Sequence, residues 1–260
     1  MVSGRQAKHT RYNWCMRLLV SVRDPEEAGA ALAGGADIVD AKEPALGPLA
    51  PVSGAALEAI CAAVPLTVPL SVALGDAASH DLGDVVAAVG PLRHRQGLYF
   101  KAAIVSGSPE AAAAGILAAC RRLAERRDHA ELVVARYVDV PSDSDDLGRW
   151  MAVAAGAGAR GLLLDTSRKD GPGLLGSVTP GALAMLRREA NRRGVWLAMA
   201  GGVALRDAEQ LAHIRPHIVG VRGAVCDGGR TGKLSLERVR QLHHALAGIT
   251  RRTRPPALPV

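Results

Sequence analysis

Residues 16–42 read MRLLVSVRDPEEAGAALAGGADIVDAK, and this stretch predicts a strand, a helix and a second strand. The apolar runs at 16–22 and 37–42 are continuous rather than alternating, which is typical of strands buried on both faces of a parallel sheet. Asp24–Pro25 supplies an N-cap and a proline in the first helical turn, and Gly34–Gly35 supplies a C-terminal stop. The stretch therefore predicts one β-α-β unit with parallel strands.

The same alternation continues along the chain. Six further apolar runs predict strands at 68–74, 98–104, 131–139, 161–166, 194–201 and 217–225. Helical patterns lie at 53–64, 79–90, 108–127, 145–158 and 206–213, and two more helices open at Thr179–Pro180 and at Ser235. Eight strand-helix units predict the α/β class, as a single (β/α)8 TIM barrel, which takes about 250 residues. The alternative, a doubly wound sheet, needs a G-x-G-x-x-G motif after the first strand, and this chain has Ser21–Asp24 there.

The barrel pattern divides the 260 residues into three parts. Residues 1–15 are predicted to be a disordered extension, 16–248 the barrel catalytic domain, and 249–260 a basic, proline-rich tail. The first residues hold no apolar run typical of a signal peptide, and no long apolar stretch predicts a membrane span. The four cysteines form no C-x-x-C pair, which fits a reducing compartment. We therefore expect a cytoplasmic protein without membrane contact.

The net charge of +7 restricts the class of partner. Most of the excess lies in the two tails and in two arginine-rich helices, a pattern that fits either a small anion or nucleic acid. Aromatic residues make up only 3% of the chain, and they do not interleave with the basic ones. Nucleic acid is therefore not expected as a partner, whereas a small anionic substrate is.

Charged residues mark three of the predicted strands, and barrel enzymes build their active sites where the strands end. Asp40 and Lys42 lie two apart at the end of the second strand, so their side chains share one face. Lys101 lies in the fourth strand, Asp165 ends the sixth, and Lys169 follows on the next loop. These five residues are the candidate catalytic residues. The alternative is that they form ordinary salt bridges inside the barrel.

Lysine is rare in this chain, which has five lysines against 27 arginines. Arginine serves an ion pair at least as well, so lysine at strand ends favours a role that arginine cannot fill. That role is the neutral amine: a desolvated lysine beside other cations loses its proton near neutral pH and attacks a carbonyl to form a Schiff base. The sequence has no H-E-x-x-H motif or strand-end histidine pair, so no metal is expected.

Glycines lie at both loops where barrels commonly bind phosphate, those after the seventh and eighth strands. Backbone N–H groups at the start of a short helix face the anion there, and glycine lets the backbone approach it closely. The candidate phosphate-binding residues are Gly201, Gly202, Arg222 and Gly223. The next segment, 227–233, lacks P-loop spacing and is predicted to be a flexible loop, with Arg230 or Lys233 able to touch phosphate.

Four segments together resemble the (5-formylfuran-3-yl)methyl phosphate synthases, also called 4-(hydroxymethyl)-2-furancarboxaldehyde-phosphate synthases. They are MRLLVSVRDPEEAGAALAGGADIVDAKEPALGPLA, FKAAI, LLLDTSRKDG and AGGV…VRGAV, in that order within 16–246. The resemblance implies a (β/α)8 barrel that condenses two molecules of glyceraldehyde 3-phosphate to a furan aldehyde phosphate in methanofuran biosynthesis. It also implies release of phosphate and water, and neither a metal nor an organic cofactor.

Carried over by motif, the resemblance puts the Schiff-base lysine at Lys42, with Asp40 beside it, and a second active-site lysine at Lys101. The acid of the sixth strand falls on Asp165 and the loop lysine on Lys169. Two alternatives remain open: a class I aldolase that acts on another sugar phosphate, and a non-catalytic barrel that binds a phosphometabolite. We also expect a homo-oligomer.

Overall fold

The computed structural model shows eight parallel strands closed into one barrel in chain order, with the last strand beside the first. It describes residues 16–77, 95, 97–104, 107–125, 130–141, 146–168 and 170–252. Ala77 and residues 249–252 are described by their backbone alone. The predicted (β/α)8 barrel is confirmed. No helix in this part of the chain is long and apolar enough to cross a membrane.

Helices alternate with the strands along the described chain. The strands are β1 Arg17–Val22, β2 Ile38–Ala41, β3 Leu70–Ala77, β4 Leu98–Ile104, β5 Ala130–Tyr137, β6 Gly161–Asp165, β7 Trp196–Met199 and β8 Ile218–Val221. The α-helices are α1 Pro25–Ala33, α2 Gly54–Ala63, α3 Pro109–Glu125, α4 Leu147–Gly156, α5 Gly173–Ser177, α6 Pro180–Arg193, α7 Ala208–Ile214 and α8 Leu236–Arg252. Two short 3-10 helices lie at Leu205–Asp207 and Gly223–Val225.

The helix start and stop signals of the sequence act as predicted at α1 and α6. The Asp24 side chain accepts a hydrogen bond from the N–H of Glu27 at 2.8 Å. Thr179 Oγ1 accepts one from the N–H of Ala182 at 3.3 Å. Gly194 ends α6 in the left-handed region, with φ 69°. Each N-cap of this kind stabilises a helix by about 1 kcal/mol.

Alternate residues of each strand face two separate cores, one outside the barrel and one inside it. On β1, Leu18 and Val20 pack into the outer core between strands and helices. Leu19, between them, packs into the inner core with Ile38 and Leu163. The period of two in a strand produces this division, which explains why the runs read as continuously apolar.

Aromatic side chains close the lower, amino-terminal end of the barrel. The Tyr99 and Trp196 rings meet edge to face with their centroids 4.9 Å apart. The guanidinium groups of Arg17 and Arg160 lie 4.3 and 4.2 Å from the centroid of the Trp196 ring. This floor leaves the upper, carboxyl end of the barrel as the open one.

Three elements differ from the sequence prediction. The eighth predicted strand, 217–225, ends at Val221, and Gly223–Val225 form a 3-10 helix instead. β3 continues to Ala77, beyond a register shift between Ala73 and Asp76, because a bulge lets a strand extend past a break in its pairing. α5 follows β6 and was absent from the prediction. Its five residues are too few to show a helical period in the sequence.

The described residues extend past the predicted carboxyl end of the barrel domain but do not include the predicted amino-terminal extension. α8 runs to Arg252, beyond the predicted domain end at 248. The predicted extension 1–15 and the predicted helix 79–90 lie outside the described residues.

Candidate active site

A cavity of about 380 Å³ opens at the carboxyl ends of the strands and reaches down into the barrel. The cavity exists because small residues occupy interior positions that barrels usually fill with bulky branched side chains. The small residues that line it are Ser21, Ser71, Ala198, Ala200 and Gly220. The volume falls within the range of about 300–1,000 Å³ typical of small-molecule sites.

Three of the candidate catalytic residues meet at one side of this cavity. Lys101 Nζ lies 2.7 Å from Asp40 Oδ1, and the two side chains are 5% and 0% exposed. Lys42 is buried at the end of β2 and lines the same cavity. The predicted convergence of strands two and four on one mouth is therefore seen in the structure.

The Asp40 carboxylate is held in its charged form. Burial alone would raise the pKa of this carboxyl, but the charges of Lys101 and Lys42 and the hydrogen bonds from Lys101 and Ser21 outweigh it, so the pKa lies below its usual value. Ser21 Oγ donates the hydrogen bond to Asp40 Oδ2 at 2.8 Å. The buried Asp40 anion thus binds Lys101 directly and interacts electrostatically with Lys42.

Asp165 and Gly201 form a close corner at the opposite side of the mouth. Asp165 is buried, and its Oδ1 accepts the N–H of Thr166 at 2.7 Å. Gly201 has φ 88°, and a Cβ there would lie 2.8 Å from the Thr166 nitrogen and 3.1 Å from Asp165 Oδ1. Glycine is therefore required at 201 both for its backbone conformation and for the space beside the acid.

The loop after β6 is held by Asp139, which lies two residues beyond the end of the neighbouring strand β5. The two carboxylate oxygens of Asp139 accept the N–H groups of Ser167 and Arg168, each at 2.7 Å. The next residue, Lys169, lies outside the described residues. Asp139 therefore holds the part of the loop that precedes Lys169.

The predicted phosphate loops both line the cavity. Gly202 follows Gly201 with φ 78°, and Gly223 opens the 3-10 helix after β8. Among the described residues, no protein acceptor is bonded to the backbone N–H of Gly202 or Gly223. These two donors are therefore open to an anion in the cavity.

Arg222 is a candidate phosphate ligand whose guanidinium is occupied by protein acceptors. It donates to Glu27 Oε2 and Oε1 at 2.5 and 3.0 Å, and to the carbonyls of Ser21, Arg230 and Gly232 at 3.0, 2.9 and 2.8 Å. In this geometry Arg222 joins β1, α1 and the loop after β8. Direct contact of its side chain with phosphate stays a prediction.

Glu27 is the centre of this network, and its sequence context alone does not mark it as a functional residue. Burial tends to raise the pKa of its carboxyl, but hydrogen bonds from Arg222 and Arg23 lower it to about 2. Arg23 also donates to the carbonyls of Thr231 and Gly232 at 2.9 and 3.3 Å. The available signal was the Arg23–Glu27 spacing of four at the start of a helix, which predicts an ordinary surface pair.

The segment 227–233, predicted to be flexible, is tied to its surroundings at several points. Arg230 lines the cavity and donates to the carbonyl of Gly47 at 3.0 Å. Lys233 pairs with Glu26 at 2.7 Å on the outer surface, where both side chains are about three-quarters exposed. In this geometry Lys233 is directed away from the mouth, and Arg230 holds the loop after β2 in place.

The fold and the mouth site define the chain as a (β/α)8 barrel with a buried lysine-carboxylate centre. Solved structures share that fold. The 3-hexulose-6-phosphate synthase of Salmonella typhimurium aligns with a TM-score of 0.62 at 19% identity, over 90% of this chain and 100% of that one. Phosphoribosyl anthranilate isomerase from Thermotoga maritima aligns with a TM-score of 0.61 at 18% identity, over 90% and 99%. At such identities the likeness shows the fold alone.

Sequence similarity is more specific: the profile of the family described as 4-HFC-P synthase matches residues 18–243, and the chain belongs to that family. The (5-formylfuran-3-yl)methyl phosphate synthase of Methanosarcina mazei is 33% identical over 238 residues, 87% of this chain and 97% of the relative. The enzyme of that name from Methanocaldococcus jannaschii is 32% identical over 234 residues, 87% and 98%. The resemblance seen in the motifs is confirmed, and the chain is an enzyme.

Proposed function

We propose that this enzyme condenses two molecules of glyceraldehyde 3-phosphate to (5-formylfuran-3-yl)methyl phosphate through a Schiff base on Lys42, in methanofuran-type cofactor biosynthesis. One observation carries the proposal. In a member of this family, Lys42 and the Lys101–Asp40 ion pair line one buried cavity. Amines and a carboxylate are the groups that carbonyl condensation needs.

The chemistry begins at Lys42. Its neutral amine attacks the carbonyl of one triose phosphate, water leaves, and the resulting iminium acidifies the adjacent carbon. Loss of that proton gives an enamine, which expels phosphate from the third carbon. The carbonyl of the second triose moves to its central carbon through an enediol, and the three-carbon unit left by phosphate loss joins that carbon by aldol addition. Ring closure and dehydration then give the furan. In balance, two trioses lose one phosphate and two molecules of water, and no redox partner is required.

The neighbours of Lys42 supply charge and proton transfer. Burial of Lys42 and like-charge repulsion from the Lys101 ammonium disfavour the protonated form of the Lys42 amine. The Asp40 carboxylate opposes this effect and keeps Lys101 in place. Asp40 or Asp165 moves protons between intermediates, and Lys169 assists from the loop after β6. Lys101 and Lys169 also hold phosphate or activate leaving groups.

The substrate phosphate binds at the opposite side of the mouth. The open N–H donors of Gly202 and Gly223 favour an anion there. Gly223 opens a short helix, where backbone donors carry partial positive charge. Gly201 gives the backbone room to approach, and Arg222 holds the loop in register. A phosphate at β7 and β8 leaves the carbonyl end of the triose directed toward Lys42.

Glyceraldehyde 3-phosphate as the only substrate tests the proposal directly. Incubation with the enzyme should produce the ultraviolet absorbance of a furan aldehyde together with inorganic phosphate. A class I aldolase for another sugar phosphate would form a lysine adduct without furan absorbance. A non-catalytic barrel would form neither.

Borohydride reduction in the presence of substrate tests the role of Lys42. Mass spectrometry should find the adduct on the peptide that contains Lys42. Lys42→Arg should abolish it, and Lys233→Arg, a matched change at a surface lysine, should leave it intact. An adduct confined to Lys101 would contradict the assignment of the nucleophile.

The compartment, the assembly state and the partners of the enzyme are also proposed. The enzyme is expected to act in the cytoplasm as a homo-oligomer on a small phosphorylated substrate. Neither nucleic acid, a metal nor an organic cofactor is expected to take part. Size measurement in solution and activity after treatment with a chelator test the oligomer and the metal separately.

A further inference from the structure

Two serines flank Asp40 across neighbouring strands of the barrel. In the sheet register Ser21 of β1 stands beside Asp40 of β2, and Ser71 of β3 stands on its other side. All three side chains are buried and line the cavity. This row of three gives two hydroxyls an almost equivalent position beside one carboxylate.

The two hydroxyls are used differently. Ser21 Oγ donates to Asp40 Oδ2 at 2.8 Å. Ser71 is 1% exposed, and its Oγ has no hydrogen-bond partner among the described residues. Buried hydroxyls are rarely left unpartnered, because the lost hydration is then not replaced. The hydroxyl of Ser71 therefore points to a partner that enters from the cavity.

The position of Ser71 restricts what this partner is. β3 lies across the barrel from β7, so Ser71 is remote from the glycines that bind phosphate. Ser71 pairs in the sheet with Asp40, and the ion-pair partner of Asp40 is Lys101. A neutral hydroxyl both donates and accepts, and suits a hydroxyl or carbonyl oxygen of a sugar better than a phosphate.

We propose that Ser71 Oγ hydrogen-bonds a neutral oxygen of the triose that reacts with Lys42, and so positions its carbon chain for attack. This inference rests on the proposed function and adds a substrate-binding residue to it. Ser71 holds the end of the triose that carries the carbonyl, while Gly202 and Gly223 hold its phosphate. The substrate is thereby fixed at two ends of the cavity.

Kinetics of three variants test this role. Ser71→Ala should lower kcat/KM for glyceraldehyde 3-phosphate by about 3- to 10-fold, the loss expected for one neutral hydrogen bond. Its melting temperature without substrate should equal or exceed that of the wild type, because no protein hydrogen bond is lost. Ser71→Thr, which keeps a hydroxyl, should recover part of the lost kcat/KM.

Ser21→Ala is the matched control. It removes a hydroxyl that the protein itself uses, so it should lower the melting temperature, which Ser71→Ala should not. A crystal of the Lys42→Arg variant soaked with glyceraldehyde 3-phosphate should show a neutral substrate oxygen within hydrogen-bond distance of Ser71 Oγ.

The outcomes separate the two proposals. Furan formation by the wild type with an unchanged kcat/KM in Ser71→Ala overturns the role of Ser71 and leaves the proposed function standing. A fall in kcat/KM that merely follows a fall in melting temperature also overturns it. A wild type that neither converts nor binds glyceraldehyde 3-phosphate overturns both proposals.

Discussion

The Lys101 ammonium lies 2.7 Å from the Asp40 carboxylate, and the carboxylate is wholly buried. A buried ion pair of this kind contributes little to net stability compared with apolar residues, yet the loss of one partner is costly. The pair therefore contributes more to the chemistry of the active site than to the stability of the fold. It places a fixed negative charge that interacts with both lysines of the same cavity.

Asp40→Asn tests this arrangement. The amide keeps the shape of the side chain but leaves the buried Lys101 ammonium without its counter-ion. The free energy of unfolding should fall by about 3–5 kcal/mol, and activity should be lost. Denaturant titration measures the first effect and furan absorbance the second. Glu110→Gln, which breaks an exposed pair with Arg149, should change neither. An Asp40→Asn enzyme of wild-type stability would contradict the argument.

Lys42→Arg tests the nucleophile. Arginine keeps the positive charge beside Asp40 but cannot supply a neutral amine, so turnover should fall at least about 1,000-fold while the fold persists. The rate of furan formation and the circular dichroism spectrum check the two parts. Near-normal turnover would mean that Lys42 only pairs with Asp40.

The sequence predicted the residues whose positions follow from local rules. Strand ends and the period of two were enough to bring Asp40, Lys42 and Lys101 together, because every strand of a parallel barrel ends at the same mouth. Asp165 was found in the same way at the end of β6. The rarity of lysine in this chain also indicated a chemical role for the lysines at strand ends, which periodicity alone does not indicate.

The sequence could not predict contacts that depend on distant parts of the chain. Arg222 and Glu27 are 195 positions apart, and only ring closure between β8 and β1 brings them together. Without knowledge of this barrel closure, the sequence predicts only that Arg222 binds phosphate. Whether Ser71 or Ser21 bonds Asp40 also depends on side-chain geometry that no local pattern contains.

The Glu27 network predicts a pH dependence of stability. The pKa of this carboxyl is lowered from 4.5 to about 2 in the folded protein. Since the folded value lies below the unfolded one, the stabilisation is present above about pH 4.5 and is lost as the pH falls toward 2. Its size is on the order of 3 kcal/mol.

Glu27→Gln should remove that part of the pH dependence. The variant should be less stable than the wild type at pH 7, and the difference should shrink as the pH falls from 5 to 2. Urea titrations at several pH values measure both curves. A constant difference between them would show that the charge of Glu27 is not what stabilises the network.

Gly201→Ala tests the corner between β7 and the acid of β6. The new Cβ would lie 2.8 Å from the Thr166 nitrogen and 3.1 Å from Asp165 Oδ1, on a backbone with φ 88°. The strain should cost about 1–3 kcal/mol of stability and displace Asp165, so activity should fall further than stability alone explains. Thermal unfolding and furan absorbance measure the two losses. Gly181→Ala, at an open position in α6, is the matched control and should lose neither. Full activity in Gly201→Ala would show that the corner tolerates a side chain and that Asp165 does not depend on it.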